Sequence, residues 1–426
     1  MKIGIIGIGN VGLQVLKDLN SNVKIKNILS VEKILVRDKE KYLKILDSEF
    51  GENNSISKKL TDDFNDFINS DINIVVELIG GISPAEEYVE KSILSGKNVV
   101  TANKEIISKS IDHLTNLANS KNVKLRFEAA VGAGIPLIEV LIDMLEQNNI
   151  SKITGIINGT SNYILSSMHN SDKTFDESLK EAQDLGFAES DPTNDVGGFD
   201  AKFKINILGS IAFGERMPLE SVSVNGIENL SQKDIGYAQE FGYVIKLLAV
   251  TELKSSKIYS KVSPYLVSNT HPLSKVEENY NAVEINGDLV GKLWFQGEGA
   301  GKLSTTSAVI GDLLGIVKNT SGNLAFKDNN FSYFSDDEVS GKKYIRLSVE
   351  DKFGVLEKIA GIFSKNKVSI ASVIQKEVNT KGLADLVIMT HESSEINFKN
   401  SLVQIRKLDF VKEDPITFEI YKLWME

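Results

Sequence analysis

The chain has 426 residues, about three times the ~150 residues of a single domain, so two or three domains are expected. It carries 48 Lys+Arg against 58 Asp+Glu, a formal net charge of −10, with 42% hydrophobic residues and no cysteine. A sizeable core can therefore form, while disulfides, thiolate metal sites and cysteine nucleophiles are excluded, and five scattered arginines in an acidic chain give no footprint for nucleic acid.

From Lys2 to about Phe127, short apolar strands alternate with amphipathic helical patterns: Ile3 to Ile6, Ile34 to Val36, Ile74 to Leu78, Val99 to Thr101 and Leu125 to Phe127. This alternation predicts an α/β fold, with a parallel, Rossmann-like sheet covered by helices on both faces over residues 1–130. Residues 131–318 mix helices (Phe175 to Leu185, Asp200 to Phe213) with strands (Ile150 to Ile156, Ile258 to Tyr265, Leu293 to Gln296). They read as an α+β catalytic and dimerisation domain whose last part packs back on the first. Residues 319–342 are polar and read as a linker, although Phe331, Tyr333 and Phe334 predict that part of it docks. Residues 343–426 then read as a small βαββαβ module, with strands at Tyr344 to Val349, Ser369 to Glu377, Leu383 to Thr390 and Thr417 to Tyr421 and helices at Gly354 to Lys365 and Phe398 to Leu408. The four histidines, His113, His169, His271 and His391, lack the short spacing of a zinc site. The N-terminus enters a strand directly, and no stretch approaches ~18 apolar residues, so a cytoplasmic protein without a membrane span is expected.

The first strand leads into Gly7-Ile8-Gly9-Asn10-Val11-Gly12, which opens a helix. In that context the first glycine permits a tight turn, the second lets a pyrophosphate approach the backbone, and the third lets helix and strand pack closely. The phosphate sits on the helix N-terminus, where unpaired N–H groups favour an anion. After the second strand stands Arg37, followed by Asp38, where NAD-preferring folds usually place an acidic residue on the ribose 2′-hydroxyl. Arg37 can pair a 2′-phosphate, which favours NADP over NAD, or be an ordinary solvated strand-end charge.

Farther on come Asn158-Gly159-Thr160-Ser161-Asn162-Tyr163, Gly186-Phe187-Ala188-Glu189-Ser190-Asp191-Pro192 and a block from Asp195 to Lys204. Asp200 and Lys204, four apart on one helix, share a face, and the preceding loop can bring Glu189 towards them. A plain i,i+4 salt bridge is the alternative. Lys202, two residues from Lys204, points to another face.

With the Glu77-Leu78-Ile79-Gly80-Gly81, Thr101-Ala102-Asn103-Lys104, Glu128 to Pro136 and Gly297-Glu298-Gly299-Ala300-Gly301 segments, these motifs make the chain resemble homoserine dehydrogenase along nearly its whole length. The resemblance implies reversible NAD(P)-dependent interconversion of L-homoserine and L-aspartate 4-semialdehyde, on the route to threonine, methionine and isoleucine. It implies Lys204 as the proton-transferring residue and Glu189 as the anchor of the substrate amino group, with Asp200 nearby and Gly159 and Thr160 also at the substrate. Gly301 would join Gly7, Gly9, Asn10, Val11, Gly12, Arg37 and Lys104 around the cofactor. Oxidation of an alcohol needs a proton acceptor, and a lysine serves if burial and a neighbouring cation lower its pKa. Lys104, at the carboxyl end of a sheet strand, would be that neighbour and is also the rival acid/base.

The resemblance further implies a monovalent cation, Na+ or K+, held by Glu128 and the carbonyls of Val131, Ala133 and Ile135, the alternative being a turn with no ion. Aspartate-semialdehyde dehydrogenase, which shares cofactor and aldehyde, needs a cysteine thioester and is excluded. The C-terminal module, with Asp351 to Leu356 between its first strand and helix, is similar to ACT regulatory domains. Such modules pair edge to edge, implying a homodimer or homotetramer, and L-threonine is the leading effector, with a purely structural module as the alternative.

Overall fold

The computed structural model describes residues 1–52, 54–320, 324–327, 329–375 and 382–422. Its first sheet consists of β1 (Lys2–Ile6), β2 (Ser30–Leu35), β3 (Leu60–Thr61), β4 (Ile74–Glu77), β5 (Asn98–Thr101) and β6 (Leu125–Arg126). All neighbours are parallel, in the order β3-β2-β1-β4-β5-β6. The order reverses between β1 and β4, and in such sheets ligands bind outside the strand carboxyl ends at that switch point. Ile3, Ile5, Ile34, Ile74 and Val76 are fully buried, as a parallel sheet covered on both faces requires. Helix Lys302–Lys318 returns from the far end of the catalytic domain and buries Val309, Leu313 and Ile316 in this same core.

The second sheet begins with strands Gly291–Glu298, Tyr280–Gly287, Ile150–Ile156, Tyr243–Lys254 and Lys257–Ser268, paired antiparallel in that order. Helix Phe199–Phe213 packs against it and against helix Lys104–Ser120. Ile205, Leu208 and Ile211 are buried with Ile207 on the opposite side, so this helix lies inside the domain with its charged residues at its first turns.

The C-terminal module has the βαββαβ order expected, with strands Ile416–Ile420, Lys343–Glu350, Leu383–Thr390 and Ile370–Gln375 side by side in antiparallel pairs. Helices Val355–Lys365 and Glu395–Ile405 close a separate core around Ile345, Leu347, Ile359, Phe363 and Phe398. The expected end of the module's second strand, Lys376 and Glu377, lies outside the described residues. The module is not a loose appendage. Strand Ile416–Ile420 pairs parallel with Lys257–Ser268, matching Tyr265 to Glu419 and Leu266 to Ile420, so the two sheets run on as one. One of the two edges expected to pair between subunits is thus used within the chain. The polar segment before the module docks as well: Ser332–Tyr333 pairs with Lys257 and Ile258, and Ser340–Gly341 with Ser393–Ser394.

Candidate active site

A cleft of about 870 Å³ lies between the two catalytic units. At its dinucleotide end, Gly7 has φ +86°, and a Cβ there would lie 2.4 Å from Ile79 Cγ2. A Cβ on Gly12 would lie 2.3 Å from the Gly7 carbonyl. Side chains are therefore barred at both positions. Gly9, which precedes helix Asn10–Ser21, has open space where its Cβ would be, so nothing covers the backbone there, and Val11 on the first turn of that helix lines the cleft. These residues fit a dinucleotide pyrophosphate. Asp38 Oδ1 accepts the Lys41 N–H at 3.0 Å as cap of helix Lys39–Phe50, while Arg37 is exposed just beyond β2.

At the other end one carboxylate holds two ammonium groups. Asp200 Oδ1 is 2.6 Å from Lys104 Nζ and its Oδ2 is 2.8 Å from Lys204 Nζ. Lys104 opens helix Lys104–Ser120 of the dinucleotide domain, and Asp200 and Lys204 lie on the first turns of helix Phe199–Phe213, so the contact spans the cleft. Burial alone would raise the Asp200 pKa, but the two ammonium ions hold its carboxyl well below the usual carboxylate range. Burial would lower the Lys104 pKa, and the Asp200 charge outweighs it, so this ammonium is raised. Lys204 Nζ also donates to the Ile157 carbonyl at 3.0 Å.

Glu189 lines the same cavity from an exposed loop, and Gly159, Thr160, Val11, Val131, Ala133 and Gly301 line it too. Thr160 Oγ1 donates to the Phe187 carbonyl at 2.6 Å, so its hydroxyl tethers the Glu189 loop. Two groups that motif reading quoted without assigning a role prove central. Asn158 Nδ2 lies 2.7 Å from Asp195 Oδ1 and 2.9 Å from Asp200 Oδ2, while its Oδ1 accepts the Ser161 N–H as cap of helix Gly159–Ser171. Asp195 lines the cavity, and burial pushes its carboxyl up. The only sequence signal for either was membership in the composite block.

The Glu128 carboxylate accepts the N–H groups of Leu137 (2.6 Å), Ile138 (2.9 Å) and Glu139 (2.8 Å) at the start of helix Ile138–Met144, so both its oxygens already serve as a helix cap. Ala133, at φ +45°, turns the chain between Val131 and Ile135. Among the described residues, no group of three or more His, Asp or Glu is arranged to hold a metal ion, and no helix is long and apolar enough to cross a membrane.

Family models described as homoserine dehydrogenase, NAD binding domain, and homoserine dehydrogenase match residues 7–128 and 136–314, and an ACT domain model matches 343–410. The chain belongs to the homoserine dehydrogenase family. A homoserine dehydrogenase of Bacillus subtilis is 34% identical, over 99% of this chain and 98% of that protein. The structure of a homoserine dehydrogenase from Thiobacillus denitrificans superposes with TM-score 0.90 at 35% identity, covering 99% of this chain and 98% of that one. A hyperthermophilic archaeal homoserine dehydrogenase in complex with NADPH matches with TM-score 0.64 at 28% identity, over 76% of this chain and 99% of its own. The activity is that of homoserine dehydrogenase, an NAD(P)-dependent oxidoreductase, and the C-terminal module is an ACT domain.

Proposed function

We propose that homoserine is oxidised at the Asp200 end of the cleft, with Lys204 taking the hydroxyl proton, Glu189 and Asp195 receiving the amino group, and Lys104 and Asp200 setting the local charge. The observation that carries this reading is the single carboxylate of Asp200 between two lysines from opposite walls. Asp200 thereby holds both lysine nitrogens at one end of the cleft, one from each wall. Nicotinamide, when bound, supplies the hydride acceptor. Lys204, held by Asp200 and the Ile157 carbonyl, keeps its nitrogen at a fixed point on the cavity wall. NADP is the preferred dinucleotide in this reading, because Arg37 is free of the capping role that occupies Asp38.

The reading extends to a Na+ or K+ ion on the main-chain oxygens of the Glu128 to Ile135 turn, to a cytoplasmic homo-oligomer, and to feedback inhibition by L-threonine through the ACT domain. Edge strand Ile370–Gln375 is available for pairing with a second copy. An effector at that domain acts only through a difference in affinity between two arrangements, so threonine and substrate binding must influence each other reciprocally. The deciding experiment follows reduced cofactor with homoserine and NADP or NAD, in sodium or bulky organic-cation buffer, with and without millimolar threonine. Protein that binds dinucleotide yet leaves homoserine unchanged from neutral to alkaline pH overturns the site assignment.

A further inference from the structure

Lys246 lies in the middle of strand Tyr243–Lys254 and is 1% exposed, among the largest fully buried side chains of the protein. Its donors go to neutral oxygens: Asn162 Oδ1 at 3.0 Å, Ser166 Oγ at 3.4 Å and the Val276 carbonyl at 2.5 Å. A buried ammonium that meets neutral acceptors carries a desolvation cost, which points to a use beyond packing.

That use follows from what Asn162 does next. With its oxygen turned to Lys246, its amide nitrogen faces the carbonyls of Val276 (3.1 Å), Glu278 (3.0 Å) and Tyr280 (3.1 Å). The ammonium, which only donates, and the carbonyls, which only accept, together fix which end of the amide faces which, and Lys246 also holds the Val276 carbonyl directly. The Val276 and Glu278 carbonyls, and that of Tyr280 at the start of strand Tyr280–Gly287, flank Asn279, which lines the cleft. The Asn279 carbonyl abuts Gly159, where an added Cβ would lie 2.6 Å from it. We infer that Lys246 is a positioning residue for the substrate end of the cleft: it orients Asn162, Asn162 holds loop 276–280, and that loop sets where Asn279 and the start of helix Gly159–Ser171 stand. This rests on the assignment of that end of the cleft to homoserine.

Two variants test it beside the wild type. Lys246→Met keeps the volume and removes the charge and donors. Asn162→Asp keeps an oxygen for Lys246 but removes the donors to the loop. Displacement of the cavity wall is expected to raise the KM for homoserine on the order of tenfold to a hundredfold in both, with the Kd for NADPH, measured by fluorescence, unchanged. A folded variant of either kind whose homoserine KM stays within twofold of wild type overturns the inference, and if Lys246→Met is not recovered folded the Asn162→Asp result decides alone. Wild-type protein without homoserine turnover instead removes the underlying site assignment, so the two failures are told apart.

Discussion

Arg346 and Asp234 form a buried, two-pronged ion pair, Nε to Oδ1 at 2.6 Å and Nη2 to Oδ2 at 3.0 Å, that ties the first strand of the ACT domain to helix Gln232–Glu240 of the catalytic domain. Asp234 also completes the capping box with Ser231 at the start of that helix. Arg346→Ala leaves a fully buried carboxylate without its partner, at a cost of about 3–5 kcal/mol. The expected result is a lowered melting temperature. For the same reason, deletion of the chain after Asn319 exposes both Asp234 and the pairing edge of strand Lys257–Ser268, so regulation is better tested by calorimetry of threonine on the full chain.

Lys204→Ala should lower turnover by about two to four orders of magnitude, the usual contribution of a positioned acid/base, with dinucleotide affinity nearly unchanged. Lys104→Ala should retain the alkaline limb of the pH–rate profile. If Lys104→Ala removes that limb and Lys204→Ala keeps it, the two lysines exchange roles.

Asp200 has a folded-state pKa below its ordinary 3.8, because the two lysines outweigh burial. The stability it contributes is therefore present above that value and is lost as pH falls through the folded-state value in strong acid. Asp200→Asn should be less stable by about 3 kcal/mol at neutral pH, since two ammonium ions lose their buried counter-charge. Urea midpoints at pH 7 and 5 should show the same gap between variant and wild type, with a smaller gap at pH 3. A gap that widens in acid contradicts this account.

Arg37→Asp should weaken NADPH binding more than NADH binding, because it replaces a charge-assisted partner of the 2′-phosphate with a repelling group. Titration of both reduced cofactors by fluorescence decides, and equal losses mean that Arg37 never meets the phosphate.

Glu128→Ala should destabilise the protein by about 2 kcal/mol in sodium and in bulky organic-cation buffer alike, because it strips the cap from three backbone N–H groups. A cation effect on wild-type activity that survives in the folded variant assigns the ion to main-chain oxygens.

The first sheet was legible because β1, β4 and β5 are short, largely apolar runs between amphipathic helices and β2 ends in one at Ile34 and Leu35, and the glycine segment marked its switch point. β3 escaped because two residues carry no periodicity. Strand Tyr243–Lys254 escaped for a different reason: it is buried on both faces from Val244 to Val250, so it shows no alternation, and Lys246 interrupts the run with a charge. In the cleft, Asp200 and Lys204 were legible from helical spacing. Asn158 and Asp195 were not, since such residues before or within a short turn read as ordinary caps until the fold sets them beside Asp200.

The chain crosses between dinucleotide and catalytic domains twice, after β6 and again at Gly299 to Gly301, and the crossings touch: the Gly134 N–H donates to the Glu298 carbonyl at 3.2 Å. On the other side, helices Lys104–Ser120 and Phe199–Phe213 pack together, with Ser108 Oγ 2.9 Å from Asn206 Oδ1. The reacting end is thus bracketed on two sides, and rotation of one domain on the other cannot widen it without parting these links. Segment 186–191 closes the cavity from a third side, tied through Thr160 Oγ1 on the Phe187 carbonyl and Gln183 Nε2 on the Glu189 carbonyl, so Glu189 and Lys204 face one space from separately anchored elements.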